Sequence, residues 1–226
     1  VGILFITATP IGNLGDITLR GIETLKNVDV IACEDTRHTL RLLNHLEIKK
    51  PLISCRAQNE EKAAVKICTL LGEGKDVAFV SDAGTPGISD PGSRLVKIVR
   101  QEGFDVIPVP GVSAFAALCS IGGISGKTFT FEGFLSPKGG KRRKRVKELL
   151  EREENFVLYE SPFRIIKLLG DIADEDPGRE VVLGREMTKK FEEYLSGSAE
   201  YILETLESRE NLKGEFSLLV SGKKKS

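Results

Sequence analysis

The stretch "DVAFVSDAGTPGISDPGSRLVKIVRQEG" runs from Asp76 to Gly103, and its reading decides the fold of the first half of the chain. An apolar run, Asp76–Val80, leads into a turn of twelve residues, Ser81–Gly92, and then into an amphipathic segment ending at Glu102. Ordinary strand-to-helix connections take about 2–6 residues. A turn this long, made of Gly, Pro, Asp, Ser and Thr, is either plain turn chemistry or a segment built to hold something.

Similar units flank it. Strands are expected at 3–8 (ILFITA), 29–34 (DVIACE), 51–55 (PLISC), 76–80 and 104–109 (FDVIPV), with helices between them. The helix at 17–27 places Leu19, Ile22 and Leu25 on one face, with Asp16 as its expected cap. The helix at 37–46 carries Leu40, Leu43 and Leu46 at helical spacing, and the next is capped by Asn59 and ended by Gly72 or Gly74. Continuous apolar strands alternating with helices imply a mostly parallel sheet covered on both faces.

After a small-residue helix at 113–123, "GGISGK" places three glycines in six residues. A domain boundary is expected there, giving an α/β domain at 1–123 and a second at 124–226. The second half begins with a half-exposed strand at 128–135, where Phe129 and Phe131 alternate with Thr130 and Glu132. A basic helix at 141–153, further strands and helices, and a last strand "EFSLLVSG" follow, so its sheet is expected to be mixed.

The 33 basic residues balance 33 acidic ones, so no global field draws in nucleic acid or membrane, and any polyanion site must come from local clustering. Cys33, Cys55, Cys68 and Cys119 contain no CxxC pair and read as inert thiols, with no metal site. Free cysteines without a signal peptide point to the cytoplasm. No apolar run approaches the roughly 20 residues of a membrane span. The sequence opens on Val1 without Met, so residues preceding it are expected. His38 and His45 read as surface residues.

Two nucleotide signatures fail. The first strand–helix turn, "TPIGNLGD", lacks GxGxxG. "GGISGKT" has Ile121 where a P-loop needs glycine, and it leads from helix to strand rather than the reverse. Four strand-end turns remain: 9–13, 34–39, 81–92 and 110–114. In an open parallel sheet these share the carboxyl edge, where ligands bind, so a binding cleft is expected.

The motifs "ATPIGNLGDITLRG", "CEDTRHT", "SDAGTPGISDPG", "PVPGVSA" and "GFLSPKGGKRR", continued by "YESPFRI", "GREMTKKFEE" and "KGEF", resemble in their order the bacterial ribosomal small-subunit methyltransferase I family. Members are 16S rRNA cytidine 2′-O-methyltransferases with the two-domain tetrapyrrole-methylase fold. The resemblance spans essentially the whole sequence. It implies S-adenosylmethionine (SAM) in a cleft between the halves, and a homodimer. Cofactor contacts implied by it fall on Pro10, on Asp82, Ala83, Gly84 and Ile88, and on Ser113 and Ala114. From the second half it adds Glu160, mainly through its backbone, and Gly214, Glu215 and Phe216. Asp82 is expected to face the cofactor, and Asp90 to cap the following helix.

Two departures stand out. The family usually carries an aromatic and histidines after the third strand, where this chain reads "SCRAQNE" (54–60). A catalytic histidine there is excluded, leaving Arg56, Gln58, Asn59 or Glu60 to meet substrate. Many relatives also extend beyond "GEF", whereas this sequence ends at Ser226, which bears on its share of rRNA binding.

A ribose hydroxyl is a poor acid, so a base is expected to take its proton. The candidates are Glu34 and Asp35, with Arg37 beside them, and Glu186 with Lys189. Asp35 reads equally well as a helix N-cap, and Arg37 and Lys189 as phosphate contacts. "KGGKRRKRVK" brings Lys138, Lys141, Arg142, Arg143, Lys144 and Arg145 together at the start of a helix. Positive charge there opposes the helix dipole, which favours contact with RNA phosphates over a merely solvated face. Phe131, Phe134 and Phe163 offer bases to stack on, although core packing is expected for at least two. Phe191 and Tyr194 are also expected in the core. Tyr159 ends a strand facing the cleft. Two other readings stay open: a tetrapyrrole methylase of the same fold, and a non-catalytic RNA-binding assembly factor.

Overall fold

The computed structural model describes residues 1–223, and Lys224–Ser226, most of the lysine-rich tail, lie outside the described residues. The chain divides into two compact units, Val1–Ser113 and Ala114–Ser226.

The first unit holds β1 (Leu4–Thr7), α1 (Leu19–Asn27), β2 (Val30–Cys33), α2 (Thr36–His45), β3 (Leu52–Ser54), α3 (Glu60–Gly72), β4 (Val77–Val80), α4 (Ser93–Gln101) and β5 (Val106–Val109). Its sheet has the order β3-β2-β4-β1-β5 and every pairing is parallel. The inner strands "VIAC" and "VAFV" are buried throughout, as a sheet covered on both faces requires. Successive side chains leave a strand on opposite faces. Ala32, Val77 and Phe79 therefore pack with Ile67, Leu95 and Val99, while Ile31, Ala78 and Val80 pack with Leu25 and Leu43. The helix after β1 thus covers one face and the helix after β4 covers the other. Adjacent parallel strands whose chains leave to opposite faces open a crevice at their carboxyl ends.

The second unit holds α5 (Ala114–Ile121), β6 (Phe129–Phe134), α6 (Gly139–Leu150), β7 (Asn155–Glu160), α7 (Ile165–Glu175), β8 (Glu180–Arg185), β9 (Glu193–Ser198), α8 (Ala199–Glu207) and β10 (Phe216–Val220). Its order is β6-β7-β10-β8-β9, with β6 and β7 parallel and the other pairs antiparallel. Phe156, Leu158, Leu168, Leu183, Ile202 and Leu218 lie in its core, and α5 packs on β8 and β10.

Some local expectations are corrected. Thr18, not Asp16, caps α1: its Oγ1 accepts the Gly21 N–H at 3.0 Å. Asp16 sits too early, in a 3-10 turn at Leu14–Asp16. Residue 92, not Asp90, is the N-cap of α4, and a distant carboxylate does the capping. Glu60 Oε1 accepts the Gly92 N–H at 3.0 Å and the Leu95 N–H at 2.8 Å. Gly92 has φ +133°, and a Cβ there would come within 2.8 Å of the Phe79 ring, so only glycine lets the turn close over β4. On α2 the buried residues are Thr39, Leu42 and Leu43, and Leu40 is exposed.

Glu60 is 6 % exposed, and removing it leaves two N–H groups of α4 without their acceptor. Glu60→Ala is expected to lower unfolding stability by about 1–3 kcal/mol, with Glu60→Gln retaining most of it through the amide oxygen. Urea unfolding of the two variants checks this; equal loss in both would mean that carboxylate charge, not the paired acceptor, matters.

Candidate functional site

Three turns of the first unit interlock at the carboxyl edge. Thr9 and Gly84 exchange two backbone hydrogen bonds, each 2.9 Å, joining the turns after β1 and β4. Thr9 Oγ1 also donates to the Ser81 carbonyl at 3.2 Å, and Thr85 Oγ1 to the Val112 carbonyl at 3.0 Å. The last bond brings in the turn after β5. Gly84 has φ +74°, and a Cβ on it would press on Ile11 at 3.3 Å, so glycine is what admits the close approach. Pro10, Asp82, Ala83, Gly84, Ile88 and Ser113 all lie in these turns. Ala83, Gly87 and Ile88 are exposed, and no atom stands within 4 Å of where a Gly87 Cβ would be.

The turn after β2 is tied to the same place. The Asp35 N–H donates to Asp82 Oδ1 at 3.0 Å, so one Asp82 oxygen braces the neighbouring turn. Asp35 is the N-cap of α2, accepting the Arg37 N–H at 2.9 Å and the Arg37 guanidinium at 2.7 Å. These hydrogen bonds from Arg37 hold its carboxyl well below the usual carboxylate range. Glu34 moves the other way. Burial, then the nearby Asp82 carboxylate, push its pKa up against a hydrogen bond from the Asp82 backbone and the charge of Arg56. The exposed Arg56 donates to the Glu34 carbonyl at 3.3 Å, and Asn59 Oδ1 accepts the Arg56 N–H at 2.6 Å. Asn59 and Glu60 therefore brace turns rather than meet substrate, a role local sequence did not reveal because Glu60's partners lie more than thirty positions away. Arg56 and Gln58 are left exposed. Burial pushes the Cys55 thiol up to about 12 and raises Cys33 as well, which keeps both unreactive.

In the second unit, Phe216 pairs in register with both Glu160 and Arg185. Glu160, Glu186, Lys189, Gly214, Glu215 and Phe216 are thus gathered at one end of its sheet. Glu186 Oε1 accepts the Glu215 N–H and Lys189 Nζ, each at 2.9 Å, and Lys189 Nζ also donates to Glu215 Oε2 at 3.0 Å. Burial would raise Glu186, but the Lys189 and Glu215 hydrogen bonds outweigh it and lower its pKa. Burial would lower Lys189, and its two carboxylate partners outweigh that and raise it. Gly214 has φ +100°, and a Cβ there would overlap the Glu186 side chain. Glu186 and Thr188 themselves adopt positive φ, +48° and +66°, a strain of about 1–3 kcal/mol for a non-glycine residue. Glu160 is buried: its Oε1 accepts the Ser161 N–H at 2.8 Å and Arg164 Nε at 2.7 Å. Its Oε2 has no partner among the described residues. Ala114 opens α5.

The basic cluster separates by burial. Arg142 is buried and its Nε donates to Asp171 Oδ2 at 2.6 Å. Arg145 is half-buried between Glu132 and Glu148. Neither guanidinium is free for a phosphate, because helix period turns these positions toward Asp171 and Glu132 on neighbouring elements, with Glu148 on α6 itself. Lys138, Lys141, Arg143 and Lys144 remain exposed. Phe134, Phe163, Phe191 and Tyr194 are exposed rather than core, and Phe131 is half-buried. His38 and His45 lie at the surface. Among the described residues no group of three or more His, Cys, Asp or Glu side chains is placed to hold a metal, and no helix is long and apolar enough to cross a membrane.

A family model described as "Tetrapyrrole (Corrin/Porphyrin) Methylases" matches residues 4–203. The chain is 48 % identical over 219 residues to "Ribosomal RNA small subunit methyltransferase I" of Borrelia garinii subsp. bavariensis, covering 96 % of this chain and 98 % of that protein. It is 46 % identical to the protein of the same name from Thermotoga maritima, covering 99 % and 100 %. The solved structure of uroporphyrin-III-C-methyltransferase from Thermus thermophilus aligns with TM-score 0.68 at 19 % identity, covering 98 % of this chain and 94 % of that one. The last likeness speaks for the fold.

The Arg142–Asp171 pair is 7 % and 9 % exposed, so removing one partner strands a buried charge. Asp171→Ala or Arg142→Ala is expected to cost about 3–5 kcal/mol, against changes within about 0.5 kcal/mol for Arg143→Ala. Thermal or urea unfolding distinguishes them; similar small effects at both arginines would mean that the pair is solvated.

Proposed function

The chain belongs to the ribosomal RNA small subunit methyltransferase I family within the tetrapyrrole methylases and is a SAM-dependent rRNA methyltransferase; we propose that it methylates the ribose 2′-hydroxyl of a cytidine in 16S rRNA, as a homodimer in the cytoplasm. The observation that carries this is 48 % identity over nearly the full length of both chains. The solved uroporphyrin-III-C-methyltransferase of Thermus thermophilus shares the fold at only 19 % identity.

The residues fit SAM. Glycine at 84 and open space at Gly87 let a flat ring approach backbone, beside the exposed apolar Ile88. When bound, the cofactor supplies a methyl group on a sulfonium, ready for in-line displacement. Pro10, Asp82, Ala83, Gly84, Ile88 and Ser113 supply the first unit's contacts.

Among the candidate bases, Glu34 takes the hydroxyl proton. Asp35 is occupied as a cap and ion-paired with Arg37. Glu186 and Lys189 neutralise each other and hold the Glu215 turn. Of these candidates, Glu34 has its pKa raised, whereas Asp35 and Glu186 have theirs lowered, and a base closer to neutral pH is the better proton acceptor. Arg37 and Arg56, with Lys138, Lys141, Arg143 and Lys144, contact phosphates, which position the RNA without reading its sequence.

Purified chain, 16S rRNA or small subunits, and labelled SAM should yield one ribose-methylated cytidine on mass mapping. Label in neither substrate overturns the reading, and RNA binding without SAM binding would instead indicate an assembly factor. Gly84→Val should abolish SAM binding in calorimetry while RNA affinity is kept; equal loss of both would make the turn structural only.

Glu34 must be ionised to act, so activity should fall as pH drops through its raised pKa, above the ordinary value of 4.5. Glu34→Asp should keep an acid limb in the pH–rate profile. Glu34→Gln should lose about 10²–10⁴-fold in turnover and lose that limb; an unchanged profile would exclude Glu34 as the base.

A further inference from the structure

Phe134 is the last residue of β6 and pairs in register with Tyr159 of β7. It is 57 % exposed, yet its ring is held: it meets Tyr159 edge-on, with centroids 5.9 Å apart. Tyr159 meets Phe131 at 5.0 Å, and Phe131 meets Phe115 at 5.5 Å. A row of four rings therefore runs out of the unit and ends in solvent at Phe134. Such a ring is already positioned, so a ligand stacking on it orders little that is not ordered already.

Phe163 lies in the next connection along the same edge, after β7, and is 88 % exposed. Its backbone is fixed by the following residue. Arg164 pairs with Glu160 at 2.7 Å and reaches the Leu135 carbonyl, next to Phe134, at 3.4 Å. The Phe163 ring contributes almost no burial to the unit.

The cations follow directly: Lys138 ends the β6–α6 connection, and Lys141, Arg143 and Lys144 lie in the first turns of α6. Lys138, Lys141 and Lys144 form no ion pair among the described residues, and Arg143 has only a 3.9 Å approach to Asp171. Acids take up Arg142 and Arg145 on the inner and lateral sides of α6. The outward side of its first turns is left positive, against the helix dipole. Isolated surface aromatics need no explanation, but these two share an edge with that row of cations. A protein partner is a poor match, since the cores of protein interfaces are depleted of lysine.

We propose, resting on the rRNA methyltransferase reading, that the β6–α6 and β7–α7 connections form a platform for single-stranded RNA: bases stack on Phe134 and Phe163 while Lys138, Lys141, Arg143 and Lys144 hold the flanking phosphates. Stacking needs bases splayed from a helix, and a duplex offers only its backbone and shape. The second unit's edge therefore selects an unpaired rRNA segment without reading its sequence.

The test uses the full chain, a short cytidine-containing RNA strand and the matching duplex, with anisotropy recorded across a salt series. Phe134→Ala and Phe163→Ala should each weaken single-strand binding about five- to a hundred-fold, leaving the salt slope, SAM affinity and duplex binding unchanged. Phe→Tyr at either site should restore affinity. Lys144→Gln or Arg143→Gln should instead flatten the salt slope, by about 0.7 per lost contact. Alanine variants that bind the strand like the parent, or lose duplex binding equally, overturn the platform. So does a change of oligomeric state in light scattering, which would assign the rings to an interface between copies. A parent that methylates subunits yet binds no single strand overturns the platform alone; one that does neither overturns the rRNA reading as well.

Discussion

Two backbone hydrogen bonds between Thr9 and Gly84 are the constraint on which the first unit's edge depends. They form because β1 and β4 are adjacent in the sheet while their helices cover opposite faces. The two chains part at that point and would leave a gap if nothing bridged it. Glycine at 84 lets the backbones meet there, and Thr85, Val112 and Gly111 extend the contact to the turn after β5. The turn at 81–92 is then fastened at its far end by Glu60, which caps α4 from the first residue of α3, its neighbour on the same face of the sheet. Its middle, around Gly87 and Ile88, is free of both duties and faces solvent. A long turn held at both ends and open between them presents backbone to a ligand at little cost in ordering.

Charge follows the same logic of fixed neighbours. Glu34 and Asp35 are adjacent carboxylates with opposite fates. Asp35 points back at its own helix and is neutralised by Arg37, whereas Glu34 is partly buried beside another acid. Arg142 and Arg143 are likewise adjacent, and one is buried on Asp171 while the other stands in solvent. In each case one step along the chain separates a structural ion pair from a group free to act. The hook at Glu186–Thr188 shows the reverse economy: strained backbone is kept because Lys189, Glu192 and Glu215 hold it from several sides.

The sequence by itself determined the fold class and the family. Apolar runs such as "VIAC" and "VAFV" alternate with amphipathic helices, and that period admits little but a parallel α/β sheet. The ordered glycine- and proline-rich turns, which local chemistry places at strand ends, carried the resemblance. The resemblance marked Gly84 and Gly214 as contacts, while their positive φ, +74° and +100°, belongs to the folded turns.

Tertiary structure decided which side chains are available. Capping by Glu60, burial of Arg142 on Asp171 and the raised pKa of Glu34 beside Asp82 depend on partners distant in sequence. Hydrophobic period says which face of a helix turns inward, but not which acid waits there. The six clustered cations looked alike as letters; Asp171 and Glu132, brought up by packing, and Glu148 one turn along the helix left four of them to solvent. Local chemistry is written along the chain, whereas desolvation and charge pairing are properties of the space around a residue, and only the folded chain defines that space.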